Sequence, residues 1–389
     1  MHVVIIGNGV AGVTAARKLR ELSDYEVTIV SGEAPYHFSR PAMMYVSLGQ
    51  LEREHIKPYR DEEWDRMGIR LVHDTCMHID AQSKTCSLGS GTTMQADAIV
   101  LATGAKPRLL EASIASHRTV LTYSRLSDID ALNVAIHSCK RAAVVGGGLI
   151  GAEVTEILSS RGIPTTWFIR ESGVYRSHLP EEESEFLTDH VRRRGIDVRI
   201  NTVVASDDVL GDADLVVVAI GMEPSMSLAE QAGITCTSGI VVNEKFETSA
   251  MGIFAIGDCA HLPWGNSQGW YVGREHGATL AAMLTGQSSE YLPSLYYNSA
   301  KFFDVEWQVY GTVPRDDVNT FLWMDLQRPR CLRIAHTTDG SVVGVHALGI
   351  RLRQSICNEW IMQGRDVDYV RRNIGAALFD PQLSTRVCL

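Results

Sequence analysis

Three glycines at positions 7, 9 and 12 carry the first chemistry legible in this chain. In Gly7-Asn8-Gly9-Val10-Ala11-Gly12 the first glycine suits a tight turn and the second lets a backbone approach a pyrophosphate. The third lets a helix pack closely on a strand. Val10 and Ala11 open that helix, whose free N–H groups and dipole favour an anion. Glu33 follows 21 residues after Gly12, a spacing at which a carboxylate accepts hydrogen bonds from ribose hydroxyls. The grouping returns at Gly146-Gly147-Gly148-Leu149-Ile150-Gly151, answered by Glu171 20 residues later. Gly146, Gly148, Leu149, Ile150 and Gly151 are therefore candidate contacts for a second dinucleotide. A tightly held flavin beside a diffusible nicotinamide is the pairing with a chemical use, since a flavin takes hydride from a nicotinamide and passes electrons on singly or in pairs.

Each glycine turn needs a buried strand before it and a helix after it. His2-Val3-Val4-Ile5-Ile6 and Ala142-Ala143-Val144-Val145 are continuous apolar runs, the pattern of parallel strands covered on both faces. Val27–Val30 and the run from Thr165 to Glu171 read as the second strand of each unit. Ala98 to Leu101 forms another strand, ending in the small-residue turn Ala102-Thr103-Gly104, and Leu215 to Ala219 leads to Gly221 in the same way. The segment 252–258 gives a strand, then Gly257 and Asp258, an acid placed to bind a ribityl hydroxyl. A helix beginning near Trp270 presents an N-terminus suited to negative charge on a reduced flavin ring.

Bulk properties narrow the function. A chain of 389 residues with 45% hydrophobic and 21% charged residues predicts two or three globular domains. The net charge of −10 argues against nucleic acid or an anionic membrane as partner. No window approaches the roughly 18 apolar residues of a membrane span, and the first residues lack the features of a signal peptide, so a cytoplasmic location is expected. The eight cysteines are scattered, with no CxxC pair and no metal-ligand spacing. Free thiols in a reducing compartment, and no metal, are expected.

Together these motifs resemble the pyridine nucleotide-disulfide oxidoreductase superfamily over essentially the whole chain. The resemblance rests on the glycines at 7–12, the Ala102-Thr103-Gly104 turn, the second fingerprint ending in Glu153, the Ala219-Ile220-Gly221 turn with Pro224, and Ile256-Gly257-Asp258. It implies an α/β fold with two Rossmann-like dinucleotide-binding domains, one inserted in the other, plus a C-terminal α+β domain. FAD would occupy residues 1–112 and 239–290, NAD(P)H residues 113–238, and an interface domain residues 291–389. Segments 300–304 and 342–349 are similar to that domain's strands. With Met77, the residues named above complete the expected flavin set, and Glu153 is the expected catalytic acid.

Departures from the family's pattern select a branch. No cysteine precedes Cys76, and position 42, where some members place a redox cysteine, reads Arg40-Pro41-Ala42-Met43-Met44. Residues 370–381 contain no histidine. The chain is therefore similar to the ferredoxin, rubredoxin and nitrite reductase branch, with Arg40 and Pro41 over the flavin. That branch's lysine near the flavin would fall at Met44 or Tyr45, where none exists. Arg170 beside Glu171 leaves the nicotinamide open, since an acid suits NADH and an arginine suits NADPH. The repeat aligns Glu171 with Glu33, which favours NADH.

Three functions are compatible with these residues. The leading one is an NADH-dependent flavoprotein reductase of a small redox protein. The others are a dehydrogenase or oxidase using a quinone or oxygen, and an NADH-responsive binding switch. Among minor features, Cys259 reads as a small buried group and Cys388 as an incidental thiol. Met43 and Met44 suit either flavin contact or core, and His261 and His276 read as structural histidines.

Overall fold

A computed structural model describes residues 1–111, 113–115, 117–266, 268–314, 319–325 and 327–379. Cys388 lies outside the described residues. The chain forms two compact units, Met1–Arg108 with Ser124–Asp130 and Met222–Pro293, and Leu109–Tyr123 with Ala131–Gly221 and Ser294–Leu389.

The first unit is built on a five-stranded parallel sheet, in the order Ile253–Ala255, Ala98–Leu101, His2–Ile6, Glu26–Ser31, Ile69–His73. Val3, Val4 and Ile5 are fully buried at its centre, which is why that run lacks polar alternation. Helix Val10–Leu22 buries small residues, among them Gly12, Ala15 and Ala16. They let it lie close to helix Trp270–Leu284, where a Cβ at Gly277 would stand 2.4 Å from the Ala11 carbonyl oxygen. A three-stranded antiparallel sheet, Cys76–Asp80, Thr85–Leu88 and Thr93–Gln95, completes the unit.

Residues 222–238 belong to this unit by their contacts, although the repeat pattern groups them with the nicotinamide segment. Strand Met222–Pro224 pairs antiparallel with Ala105–Pro107, and Ala229 and Ile234 enter the same core as the first strand.

The second unit repeats the plan. Its parallel sheet runs Asp197–Arg199, Thr165–Phe168, Ala142–Val145, Leu215–Val218, Thr119–Leu121. The same unit holds the C-terminal antiparallel sheet, ordered Tyr297–Phe302, Val305–Gly311, Val342–Leu348, Arg330–His336, Thr320–Asp325, with helices Gln354–Met362 and Val367–Ala377. The expected α+β character of this segment is observed. Arg333 of that sheet reaches helix Glu181–Arg193, its Nε donating to Glu183 at 2.6 Å and its Nη2 to Glu182 and Glu183 at 2.8 Å each. Glu183 has no exposed surface, so its charge depends on this partner.

Candidate nucleotide sites

Gly7 stands at the C-terminal end of strand His2–Ile6 with φ +116°, and a Cβ there would lie 2.2 Å from the Ala102 carbonyl oxygen. A Cβ at Gly12 would meet the Gly7 oxygen at the same distance. Both positions exclude a side chain for internal reasons. Gly9 differs. Its backbone is extended (φ −68°, ψ 178°), and a Cβ would find nothing within 4 Å. The helix it caps has no side-chain cap and no acid in its first turn, so the N–H groups of Val10, Ala11 and Gly12 are left to an outside acceptor.

Other segments of the first unit converge on the same sheet edge. Thr103 Oγ1 donates to the Ser225 carbonyl at 2.7 Å, and Gly104 has φ +66° with open space at its Cβ position. Gly257 packs against helix Val10–Leu22, its Cβ position 2.9 Å from Ala11 Cβ. Asp258 is largely buried, and its Oδ1 accepts the Gly269 N–H at 3.0 Å. Burial raises its pKa, opposed by that N–H and the Arg40 charge. Trp270 begins the next helix, also without a side-chain cap, and the Arg274 guanidinium lies over its ring.

His276, read from the sequence as a structural histidine, has a positioning role. Its Nδ1 accepts the Gly257 N–H at 3.1 Å, which places the ring proton on Nε2. Burial lowers its pKa to about 4, so the ring stays neutral while holding the turn that presents Asp258.

Glu33 and Arg40, expected as separate flavin contacts, meet each other. The Arg40 guanidinium makes a two-point ion pair with the Glu33 carboxylate, and the Leu126 N–H donates to Glu33 Oε1 at 3.1 Å. Pro41 lies in the single turn Arg40–Ala42, followed by Met43 and Met44, both buried. Met77 turns its side chain to solvent, 58% exposed. Cys259 is fully buried, its thiol donating to the Ile256 and Leu101 carbonyls. His261 bonds to Ser238 and Asn266 near the surface.

The second unit reproduces the first glycine turn closely. Gly146 has φ +122°, and a Cβ there would lie 2.1 Å from the Ala219 oxygen. One at Gly151 would lie 2.1 Å from the Gly146 oxygen. Gly148 is extended and open, and it caps helix Leu149–Ser160, which begins with Leu149 and Ile150 and has neither a side-chain cap nor an early acid. Gly221 (φ +113°) ends the neighbouring strand's turn. The two turns are braced differently: in the first, His37 Nδ1 donates to the Asn8 carbonyl at 2.7 Å and Asn8 Nδ2 donates to the Ala34 and Tyr36 carbonyls at 3.0 and 2.9 Å. In the second, Trp167 Nε1 donates to the Gly146 carbonyl at 2.8 Å, and the Tyr175 N–H donates to the Gly147 carbonyl at 2.8 Å. Arg170 Nη2 donates to Glu171 Oε1 at 2.8 Å, so these two residues also meet.

Glu153 lies in the second turn of helix Leu149–Ser160. Burial raises its pKa to about 7, with Glu156 one turn on adding to the effect. Glu156 instead has a cation, Lys301 Nζ at 3.2 Å, while its other oxygen is buried unpaired. Lys301 pairs with Glu156, and burial holds the proton on Glu153 more tightly than on an exposed carboxyl. Among the described residues no cluster of His, Cys, Asp and Glu could hold a metal ion, and no helix is long and apolar enough to cross a membrane.

Comparison with known proteins agrees with this geometry. Residues 1–277 match the family described as pyridine nucleotide-disulphide oxidoreductase. The chain is 31% identical over 277 residues to the benzene 1,2-dioxygenase system ferredoxin–NAD(+) reductase subunit of Pseudomonas putida, covering 67% of this chain and 68% of that protein. It is 26% identical over 414 residues to the p-cumate 2,3-dioxygenase system ferredoxin–NAD(+) reductase component of Pseudomonas putida, covering 99% and 98%. A crystal structure of a ferredoxin reductase from Rhodopseudomonas palustris superposes with a TM-score of 0.81 over 90% of this chain and 91% of that one, at 24% identity. That last likeness is one of fold. By the family match and the first of these relatives, the chain belongs to the pyridine nucleotide-disulphide oxidoreductase family.

Proposed function

We propose that the chain is an FAD-containing, NADH-dependent reductase that delivers electrons to a small redox protein of ferredoxin or rubredoxin type. The observation that carries this reading is the pair of open glycine cradles, at Gly9 and Gly148, each before an uncapped helix. A phosphate supplies what both lack, an acceptor for the first-turn N–H groups. FAD fits the first unit, where the buried Asp258 carboxyl is available to a ribityl hydroxyl and Glu33 lies at the ribose spacing. NAD(P)H fits the second, where Glu171 engages Arg170 and so favours the ribose hydroxyls of NADH. When bound, FAD supplies the exchange between a two-electron donor and a one-electron acceptor.

The chain's own groups orient and shield. Gly7, Gly12, Gly146 and Gly151 keep the turns tight, His276 holds Gly257, and Trp167 holds Gly146. Glu153 keeps a buried proton near neutral pH. No cysteine occurs before Cys76, and Met43 and Met44 fill the region where a redox thiol would serve, so electrons leave for the acceptor without a thiol relay. The named roles of the Pseudomonas putida relatives support a ferredoxin-like acceptor. The cytoplasm is the proposed location, and the FAD, NAD(P)H and interface boundaries inferred from sequence are kept as the proposed functional division.

The test is anaerobic stopped-flow reduction of the FAD-loaded protein by NADH and by NADPH, followed by mixing with ferredoxins, rubredoxin and a soluble quinone. NADH should be preferred by about tenfold or more in kcat/KM, equivalent to ~1.4 kcal/mol, and a redox protein should reoxidise the flavin fastest. A comparable preference for NADPH would overturn the nicotinamide assignment. Quinone turnover outpacing every redox protein would overturn the acceptor.

A further inference from the structure

Cys76 and Cys86 are ten positions apart in a sequence with no thiol motif, yet the fold brings them together. They lie on adjacent antiparallel strands, where Cys76 pairs with Leu88 and Ile79 with Cys86, across a bulge between Cys76 and His78. Cys86 and Leu88 are buried, and Cys76 packs half-buried against the same core. Both thiols therefore face inward on one side of the small sheet, and both are free.

The two sulfurs interact. Their mutual influence lowers the pKa of Cys76 and raises that of Cys86, and the Cys76 thiol donates to the His78 carbonyl at 3.6 Å. The other shifted cysteines among the described residues move the opposite way from Cys76. Burial and the Asp214 carboxylate push Cys139 up to about 12, and burial raises Cys236, Cys259, Cys331 and Cys357. Reactivity toward oxidants follows thiolate character and access. Cys76 is half-buried rather than sealed in the core and its pKa is lowered, and a second thiol lies on the same face of the adjacent strand.

We propose that Cys76 and Cys86 form a peroxide-sensitive dithiol that closes to a cross-strand disulfide in the first unit. The Cys76 thiolate attacks a peroxide oxygen, so an S–O bond forms and the O–O bond breaks; the departing hydroxide takes from solvent a proton equal to the one the thiol had released and leaves as water. The Cys86 sulfur then attacks Cys76, so the S–S bond forms and the S–O bond breaks. The Cys86 proton goes to the departing hydroxide as a second water. Hydrogen peroxide is reduced by two electrons and the dithiol is oxidised by two. Thr75, next to Cys76, packs its Oγ1 2.3 Å from where a Cβ at Gly32 would lie, so the bond would form beside the segment that carries Glu33.

Mass spectrometry tests this without reference to activity. The FAD-loaded protein is treated with a modest excess of hydrogen peroxide, alkylated under denaturing conditions and digested with trypsin, which cleaves after Lys84 between the two cysteines. The expected product is a dithiothreitol-reversible pair of linked peptides carrying Cys76 and Cys86, with the other cysteines alkylated. In Cys76→Ser, Cys86 should stay reduced at the same dose. In Cys86→Ser, Cys76 should accumulate as a sulfenic acid that dimedone traps. Wild-type protein in which Cys76 advances to sulfinic acid with Cys86 still alkylated would overturn the proposal. So would two thiols that both survive, or Cys86 oxidised in Cys76→Ser.

Discussion

Replacing Glu153 by glutamine should reshape the pH dependence of stability. In the fold the Glu153 carboxyl titrates at about 7 rather than 4.5, chiefly through burial. The folded state therefore holds this proton more tightly than the unfolded state. As pH rises from 4.5 toward 7 the unfolded chain releases it first, stability falls, and the penalty is complete above 7. Full expression of that shift corresponds to about 3 kcal/mol. Partial access of water to the side chain lowers the expected figure to about 1–3 kcal/mol. Glutamine has no proton to lose, so the advantage of Glu153→Gln over wild type should grow from near zero at about pH 4.5 to that value by about pH 8. Urea denaturation of the FAD-loaded proteins across this range, followed by tryptophan fluorescence, measures the difference, and Trp167 is a fully buried reporter in the same unit. Glu156→Gln removes the neighbouring charge and should move the wild-type transition to lower pH. Parallel stability curves for wild type and Glu153→Gln at every pH would refute the reasoning.

The glycine cradles make a sharper distinction. Gly9→Ala should fold normally, because its backbone and space tolerate a methyl group, yet retain at most about a tenth of the wild-type affinity for FAD, a loss of ~1.4 kcal/mol or more, read by flavin content after gel filtration. Gly148→Ala should raise the NADH KM with flavin content unchanged. Trp167→Phe removes the indole bond to Gly146, and a loss of about 1–2 kcal/mol should weaken NADH binding by about five- to thirtyfold in a fluorescence titration. Arg333→Met strands the buried Glu183 carboxylate and should cost about 3–5 kcal/mol, seen as a lower melting temperature. Adding Glu183→Leu should recover most of the loss.

The parts legible in the sequence were those where one residue type is forced by local geometry. Gly7 and Gly146 show this, since at both the backbone is left-handed and a carbonyl blocks any side chain. Continuous apolar runs located the central strands because a strand covered on both faces has no polar alternation to hide it. Partnerships between distant residues were not legible. Glu33 with Arg40, Lys301 with Glu156 rather than Glu153, and Cys76 with Cys86 depend on loop paths and strand register, which no local spacing encodes. The pairing of Met222–Pro224 with Ala105–Pro107 was not legible for the same reason, because a three-residue strand carries too little pattern to announce its partner.

The split of the first unit also sets an order in time. Strand Ala98–Leu101 must wait for Ile253–Ala255 to complete its sheet, and helix Val10–Leu22 must wait for Trp270–Leu284 to cover it. Contacts separated by more than 150 residues close slowly, since loop entropy must be overcome before they form. Most of the segment 131–221 forms its parallel sheet from nearer neighbours and has emerged from the ribosome by then. During synthesis strand Ala98–Leu101 therefore lacks its second neighbour until about two thirds of the chain exists, and helix Val10–Leu22 lacks its cover until nearly three quarters does. Over that interval the apolar residues of Ala98–Leu101 are incompletely covered, and the nascent chain is most open to misassembly.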